Sequence, residues 1–200
     1  GWAQYSAKNY KKAAAFACIE VIALGVYYNY HTKAIQEADL TKQFADQYWS
    51  FEKWIADYDI FDVPEFSDIF INEESGFYTN LWDGGHTIKF FYNNQYYTTG
   101  GSDFESFHHQ VLCPPNGGGE CDAFNWDSIK IIKDHHYYEN IGKYDHFFSG
   151  WNDATIDETY VLIKESGEKI AMSPNKKKYR ENWELEADFN RIADYALYTI

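Results

Sequence analysis

The stretch AAAFACIEVIALGVYY, residues 13–28, decides the fold of this chain. Glu20 is its only charged residue and no proline interrupts it, so the pattern predicts a helix. Lysines precede the stretch and tyrosines lie at its end, and both residue types are favoured at a bilayer boundary. These flanking residues are Lys8, Lys11, Lys12, Tyr27, Tyr28 and Tyr30. We therefore expect a membrane-associated segment over residues 13–30.

The stretch is slightly shorter than the roughly 20 residues that a membrane-crossing helix needs. A buried helix of a soluble bundle therefore stays open as the alternative. Because a carboxylate facing lipid is costly, we expect Glu20 to face protein, a polar partner or the interface. The residues expected at the membrane are Ala13, Phe16, Ile19, Glu20, Ile22, Leu24 and Tyr27.

Composition bounds the class of protein. Hydrophobic residues make up 45% of the 200 residues, which is enough to close a core. Aromatic residues reach 20%, so we expect large buried rings with polar edges at a wet boundary. The net charge of −14 argues against a nucleic-acid partner, because phosphate binding requires clustered lysine and arginine.

One long helix, or two collinear helices, is predicted from Lys8 to Asp46. Ser50 predicts a new helix start after a break near Trp49. The continuation of the long helix carries one broad apolar face that includes Ile35 and Leu40.

Residues 62–126 form an aromatic insert. Its runs at 87–92 and 95–99 are separated by Asn93-Asn94, which predicts a β-hairpin because asparagine tolerates positive φ. Ser102 and Glu105 then predict a short capped helix.

Beyond the insert, residues 127–148 have the spacing of a helix, and 160–164 with 169–172 predict a second hairpin. Ser173-Pro174 predicts the start of a last helix. We therefore predict an α+β fold, mainly helical, in which long N-terminal and C-terminal helices frame a small domain with β-hairpins. Its four regions are 1–61, 62–126, 127–172 and 173–200, the last expected to continue beyond the sequence given.

Cys113 and Cys121 bracket a short glycine-rich loop that can close on itself. We expect a disulfide between them in an oxidising compartment, with two free thiols as the alternative. Cys18 lies in the apolar stretch and is expected to pack as a small hydrophobic residue.

The aromatic runs of the insert are candidate binding residues. Strand alternation is expected to place Phe90, Tyr92 and Tyr96 on one face, with Phe91 and Tyr97 on the other. One set then fills the core while the other is free to contact a partner or a glycan. The candidate partner-binding residues are Phe90, Tyr92, Tyr96 and Tyr97, and ordinary packing on both faces is the alternative.

Catalytic chemistry has weak support in the sequence. His135, His136 and Glu139 have the spacing of a metal-ligand pair on one helix face, but a hydrogen-bonded structural cluster is the favoured interpretation. Two groups of acidic residues could serve as the carboxylates of a glycosidase or bind calcium, although neither has the spacing of a calcium-binding loop. The groups are Asp57 with Asp59, and Asp153 with Asp157 and Glu158. No nucleophile elbow or phosphate-binding glycine loop is present. We expect no cofactor, and an enzyme is the less favoured interpretation.

Several segments resemble a known family. Residues 1–5 (GWAQY), 9–13 (NYKKA), Glu20 and 25–28 (GVYY) resemble the start of the DUF5683-like envelope proteins of Bacteroidota and related phyla. Further similar segments are 44–46 with 48–50, 137–145 with 150–153, and 173–175 with Tyr179, so the resemblance covers about half of the chain. Ser6-Ala7-Lys8 departs from the glycine turn usual there, and so does the β-rich insert.

The resemblance implies an exported protein with membrane-associated terminal helices around an envelope-facing domain, and no assigned reaction. We therefore expect a non-enzymatic, membrane-anchored accessory or scaffold subunit of a bacterial cell envelope, whose partners are the bilayer and other envelope proteins. The alternative is a soluble periplasmic module that binds or hydrolyses carbohydrate.

Overall fold

The structure is a computed structural model that describes residues 2–56, 86–100, 103, 104, 107, 126–154, 161–163 and 169–198. Its elements, in chain order, are α1 (Trp2–Ser6), α2 (Tyr10–Tyr48), α3 (Phe51–Ala56), β1 (Lys89–Tyr92), β2 (Gln95–Thr98), a 3₁₀ helix (Trp126–Ser128), β3 (Ile129–Ile131), α4 (His135–Lys143), a second 3₁₀ helix (Asp145–Gly150), β4 (Val161–Ile163), β5 (Lys169–Ala171) and α5 (Pro174–Leu197). The predicted mainly helical α+β fold, with long terminal helices around a small β-containing region, is confirmed.

The chain forms two compact units. Unit 1 comprises Gly1–Phe44 and Tyr179–Ile200, and unit 2 comprises Ala45–Lys178. This grouping differs from the four sequence regions, because most of α2 and α5 belongs to one unit while everything between them belongs to the other.

Unit 1 is built on the 39-residue helix α2, which is ~58 Å long. The buried residues of α2 in this unit are small: Ala23, Ala34 and Thr41. Ile35 and Leu40, which belong to the predicted broad apolar face, are both more than half exposed. Where only small side chains are buried, the larger apolar ones are left on the surface of the helix.

The helices of unit 1 also meet through aromatic side chains. The ring centroid of Tyr30 on α2 lies 5.9 Å from that of Phe189 on α5. The Lys33 ammonium lies 4.8 Å from the Tyr30 ring and 5.7 Å from the Phe189 ring, a cation–π arrangement.

Unit 2 includes the break between α2 and α3. The Ser50 hydroxyl accepts a hydrogen bond from the Lys53 backbone N–H at 3.2 Å, which confirms Ser50 as the cap of a new helix. The Ser50 backbone N–H donates to the Gly150 carbonyl at 2.8 Å. The break in the helix is therefore held to a segment about a hundred residues later in the chain.

The hairpin between β1 and β2 is confirmed. Asn93 and Asn94 have φ values of 49° and 62°, the positive values that a two-residue hairpin turn requires. Strand β1 also pairs antiparallel with β3, which gives a three-stranded sheet in the order β2-β1-β3.

The predicted helix over 127–148 is corrected by this pairing. Ile129–Ile131 is a strand, and α4 begins only at His135 because the Asp134 carboxylate accepts a hydrogen bond from the Tyr137 backbone N–H at 2.9 Å. β-Branched isoleucines favour a pleated surface, and β1 offers them a partner that helical periodicity does not reveal.

The last part of unit 2 follows the sequence prediction. Strands β4 and β5 pair antiparallel, which confirms the second hairpin. Ser173 caps α5, its hydroxyl accepting a hydrogen bond from the Lys176 backbone N–H at 3.2 Å, and Pro174 is the first helical residue.

The core of unit 2 is largely aromatic, and its buried rings contact one another: Phe51, Trp54, Phe90, Phe104, Phe107 and Phe147. Beside them, Trp49 forms an isolated bridge with Trp151. The Trp49 indole N–H donates to the Phe147 carbonyl at 2.9 Å, and that of Trp151 donates to the Ile141 carbonyl at 3.0 Å. These indoles connect the break after α2 to the second 3₁₀ helix.

Candidate functional site

The first candidate site is the surface of α2 between Ala13 and Tyr28. In the described part of the chain, α2 is the one helix that is long and apolar enough to cross a membrane, and only 6% of its most apolar window is buried. Val21 is 69% exposed and Ile22 is 65% exposed. In the part of the chain that the structure describes, large apolar side chains of this stretch are therefore exposed, and exposed apolar patches mark membrane or protein contacts.

The exposed apolar side chains lie all around the helix axis. At about 100° per residue, Phe16, Ile19, Val21, Ile22 and Leu24 point in five well-separated directions. Each of the five is at least 44% exposed. A helix that lies flat on a membrane surface has one apolar face, so this distribution suits a helix surrounded by lipid.

The predicted membrane residues divide into two groups. Phe16, Ile19, Glu20, Ile22 and Leu24 are exposed, and Ala13 and Tyr27 are half-buried. The Tyr27 ring stacks on His31 with centroids 5.3 Å apart.

Both ends of the apolar surface carry polar or amphipathic side chains. Lys8, Lys11 and Lys12 are exposed at the first end. Tyr10 stands at that end and Tyr28 at the other, a separation of ~27 Å along the helix. That distance is close to the roughly 30 Å thickness of a bilayer's hydrocarbon core.

The second candidate site is the sheet of unit 2, whose inner face is aromatic. Phe90 is fully buried, with its ring 5.4 Å from Tyr97 and 4.8 Å from Phe107. Tyr92 also contacts Phe107, at 5.3 Å. Three of the four candidate partner-binding residues, Phe90, Tyr92 and Tyr97, therefore lie on the core side of the sheet, and Phe90 has no exposed surface to offer a partner.

The outer face of the sheet carries an exposed aromatic pair. The register pairs Phe90 with Tyr97 and Phe91 with Tyr96, so the expectation that Tyr96 shares a face with Phe90 is wrong. Phe91 is 38% exposed and Tyr96 is 48% exposed, and their rings meet edge to face at 5.7 Å. Phe91 was not among the sequence candidates, although the Asn93-Asn94 turn implies this register.

Charged side chains surround the start of α4. Burial alone would raise the pKa of Asp134, but the hydrogen bond from Tyr137 and the Lys89 ammonium at 3.3 Å outweigh it, and the pKa lies below its ordinary value. Asp46 pairs with Lys133 at 2.8 Å and accepts a hydrogen bond from the Tyr138 hydroxyl at 3.2 Å.

Burial, with the negative charge of Asp46 beside it, raises the pKa of Tyr138 to about 12. Tyr138 therefore stays protonated at neutral pH and donates to Asp46. The arrangement is a structural ion-pair network that joins α2 to α4.

The metal-ligand candidates form a partial cluster. His136 Nδ1 lies 3.9 Å from one Glu139 oxygen, while the other Glu139 oxygen is 3.3 Å from the Lys143 ammonium. The rings of His135 and His136 have centroids 6.0 Å apart. Among the described residues, no three histidine, cysteine or acidic side chains form a group that could hold a metal ion. An ammonium beside Glu139 suits the structural interpretation better than the metal one.

The remaining candidates lie largely outside the described residues. These are Cys113, Cys121, Asp57, Asp59, Asp157 and Glu158. Asp153 is described, and its carboxylate accepts a hydrogen bond from the Asn175 backbone N–H at 2.8 Å in the first turn of α5. Cys18, expected to pack as a small hydrophobic residue, is exposed on α2.

Comparison with known proteins adds no relative. No protein family model matches the chain, and neither a curated protein nor a solved structure is significantly similar to it. The class that the fold and the site define is a mainly helical α+β protein with one candidate membrane-spanning helix among its described residues.

Proposed function

We propose that this protein is a non-enzymatic, membrane-anchored subunit of a bacterial cell envelope, acting as an accessory or scaffold component of a larger assembly. Helix α2 is the anchor, and lipid surrounds its apolar stretch. The aromatic sheet of unit 2 contacts another envelope protein.

The observation that carries the proposal is that Phe16, Ile19, Val21, Ile22 and Leu24 are exposed and point in five directions around α2. Burying such a surface is worth about 25 cal/mol for each Å² removed from water. The alternative of a buried bundle helix requires that its own chain cover the same surface, and only 6% of the apolar window is buried. A bilayer supplies the missing cover.

The envelope location and the scaffold role rest on other support. The resemblance of the N-terminal segment to DUF5683-like proteins favours an exported chain. The exposed pair of Phe91 and Tyr96 favours a protein contact, because amphipathic rings are enriched at interfaces. The described residues around α4 pair into structural ion pairs, which favours a role without catalysis.

A double substitution tests the anchor. Val21→Asp with Ile22→Asp places two carboxylates at the centre of the apolar stretch, where each costs about 2.5 to 3.5 kcal/mol of membrane insertion. We expect the full-length variant to leave the membrane pellet under alkaline carbonate extraction, whereas the parent protein stays in it.

A matched control uses residues that are also exposed but lie beyond the tyrosines. Ile35→Asp with Leu40→Asp adds the same charge to the same helix, and we expect this variant to remain in the pellet. For a helix in water, both pairs of surface substitutions change stability by only about 0.5 kcal/mol per site. A parent protein that is monodisperse in plain buffer, with both variants unchanged, would refute the anchor.

A further inference from the structure

We infer that α2 crosses the bilayer in one orientation, with its lysine end at the anionic cytoplasmic leaflet and the chain from Asn29 onward on the opposite side of the membrane. This inference rests on the proposed function, since it specifies how the proposed anchor is inserted. Two observations on charge and one on length lead to it.

The first observation is the charge before the apolar stretch. Residues 1–12 contain three of the chain's 17 basic residues and none of its 31 acidic residues. Lys8, Lys11 and Lys12 are all exposed, and the last two lie directly before Ala13. Anionic lipids of the cytoplasmic leaflet attract lysines at such a position, and lysines close to a membrane helix bias their flank toward the cytoplasm.

The second observation is the charge after the stretch. All 31 acidic residues lie beyond residue 12, and Glu20 is the one among them within the apolar stretch. The first cation after the stretch, Lys33, lies over the Tyr30 and Phe189 rings. Glu37 and Asp39 follow within two turns. The second flank carries two lysines, Lys33 and Lys42, within 15 residues of Tyr28, whereas the first flank carries three within the five residues before Ala13, so the lysine count favours the first flank at the cytoplasmic side.

The length of the stretch is compatible with complete crossing. Tyr10 and Tyr28 are ~27 Å apart along α2, so an aromatic side chain can sit at each membrane interface. Tyr28 is among the most exposed side chains of the helix, as an interfacial tyrosine should be. The two ends of the stretch then present different groups to the lipid headgroups. Lysine ammonium groups lie at one leaflet, and tyrosines followed by an acidic polypeptide lie at the other.

Reporter fusions to the full chain test the orientation in a bacterial inner membrane. Alkaline phosphatase after Ile200 is active only outside the cytoplasm, and green fluorescent protein at the same place fluoresces only inside it. We expect both fusions in the membrane pellet, with the phosphatase active and the fluorescent protein dark. A bright, pelleted fluorescent fusion with inactive phosphatase would overturn the orientation while leaving the anchor intact.

Charge-swap variants test the cause. Replacing Lys8, Lys11 and Lys12 by Gln, with Asn29→Lys and Gln36→Lys added, should lower the ratio of phosphatase activity to fluorescence at least tenfold.

The matched control, Lys33→Gln with Lys42→Gln, removes cations from the second flank and should leave that ratio unchanged or raise it. A charge-swap ratio equal to that of the parent chain would overturn the role of the lysines. Fusions found in the soluble fraction would instead contradict the proposed anchor itself.

Discussion

Substituting Gly150 by alanine is expected to destabilise unit 2, because a methyl group at this position would overlap the buried Trp49 indole. A Cβ at residue 150 would lie 2.3 Å from two atoms of the Trp49 indole and 2.7 Å from a third. Trp49 is buried, and its ring meets Tyr137 edge to face at 5.6 Å. The indole therefore has no free space into which it can retreat.

The expected loss of stability follows from the displacement of the Trp49 indole. Overpacking of a well-packed core costs about 1 to 3 kcal/mol. Displacing the indole also stretches its 2.9 Å hydrogen bond to the Phe147 carbonyl, and leaving those buried groups unpaired costs a further ~1 to 3 kcal/mol. We expect Gly150→Ala to lower the free energy of unfolding by about 2 to 6 kcal/mol, a large part of the stability of an ordinary domain.

The assay is urea unfolding of the full-length protein in mild detergent, followed by near-UV circular dichroism of the tryptophans. Gly25→Ala is the matched control, since nothing lies within 4 Å of a Cβ at that helical position. It should leave stability unchanged or raise it by up to ~1 kcal/mol.

A double-mutant cycle isolates the clash. If the indole is the obstacle, Gly150→Ala combined with Trp49→Ala should cost less than the two single substitutions added together. A Gly150→Ala protein within about 0.5 kcal/mol of the parent, or strict additivity in the cycle, refutes the reasoning.

Two further predictions concern the surface of unit 2. Asp134→Ala removes the α4 cap and should cost about 0.5 to 2 kcal/mol at pH 7, whereas Asp134→Asn keeps a capping side chain and should cost less. Because the folded pKa of Asp134 is lowered, its contribution is complete above the ordinary value of 3.8 and is lost as the pH falls through the folded pKa. The gap between Asp134→Ala and the parent in urea unfolding should therefore narrow below about pH 4, and a gap constant down to pH 2 would contradict the assignment. Phe91→Ala with Tyr96→Ala should change stability by less than about 1 kcal/mol, since both rings are exposed, yet should remove from mild-detergent pull-downs a neighbour that a Tyr195→Ala control retains. Retention of that neighbour by the sheet variant would rule out the Phe91 and Tyr96 face as its contact.

The aromatic hairpin shows where sequence reasoning stopped short. The Asn93-Asn94 pair in the sequence predicts the turn, and a two-residue loop places Tyr92 opposite Gln95. Counting back from that pair puts Phe91 opposite Tyr96, so the exposed face was implied by the turn. Alternation along each strand alone does not specify how the two strands are registered.

Local signals in the sequence determined where α3 and α5 begin and where the first hairpin turns. Each of these signals acts on backbone groups within three residues of itself, so the neighbouring residues in the sequence suffice to recognise it. The signals are Ser50, Asn93-Asn94 and Ser173-Pro174. The apolar composition of residues 13–28 and the charged residues that flank them likewise identify this stretch as the candidate membrane segment.

Tertiary structure decided the rest. Residues 129–131 became a strand because β1, about forty positions earlier, offers hydrogen bonds to them, and helical spacing carries no trace of that partner. The exposure of the α2 stretch depends on whether another segment folds over it. Burial is a property of two surfaces in contact, and one stretch of sequence specifies only one of them.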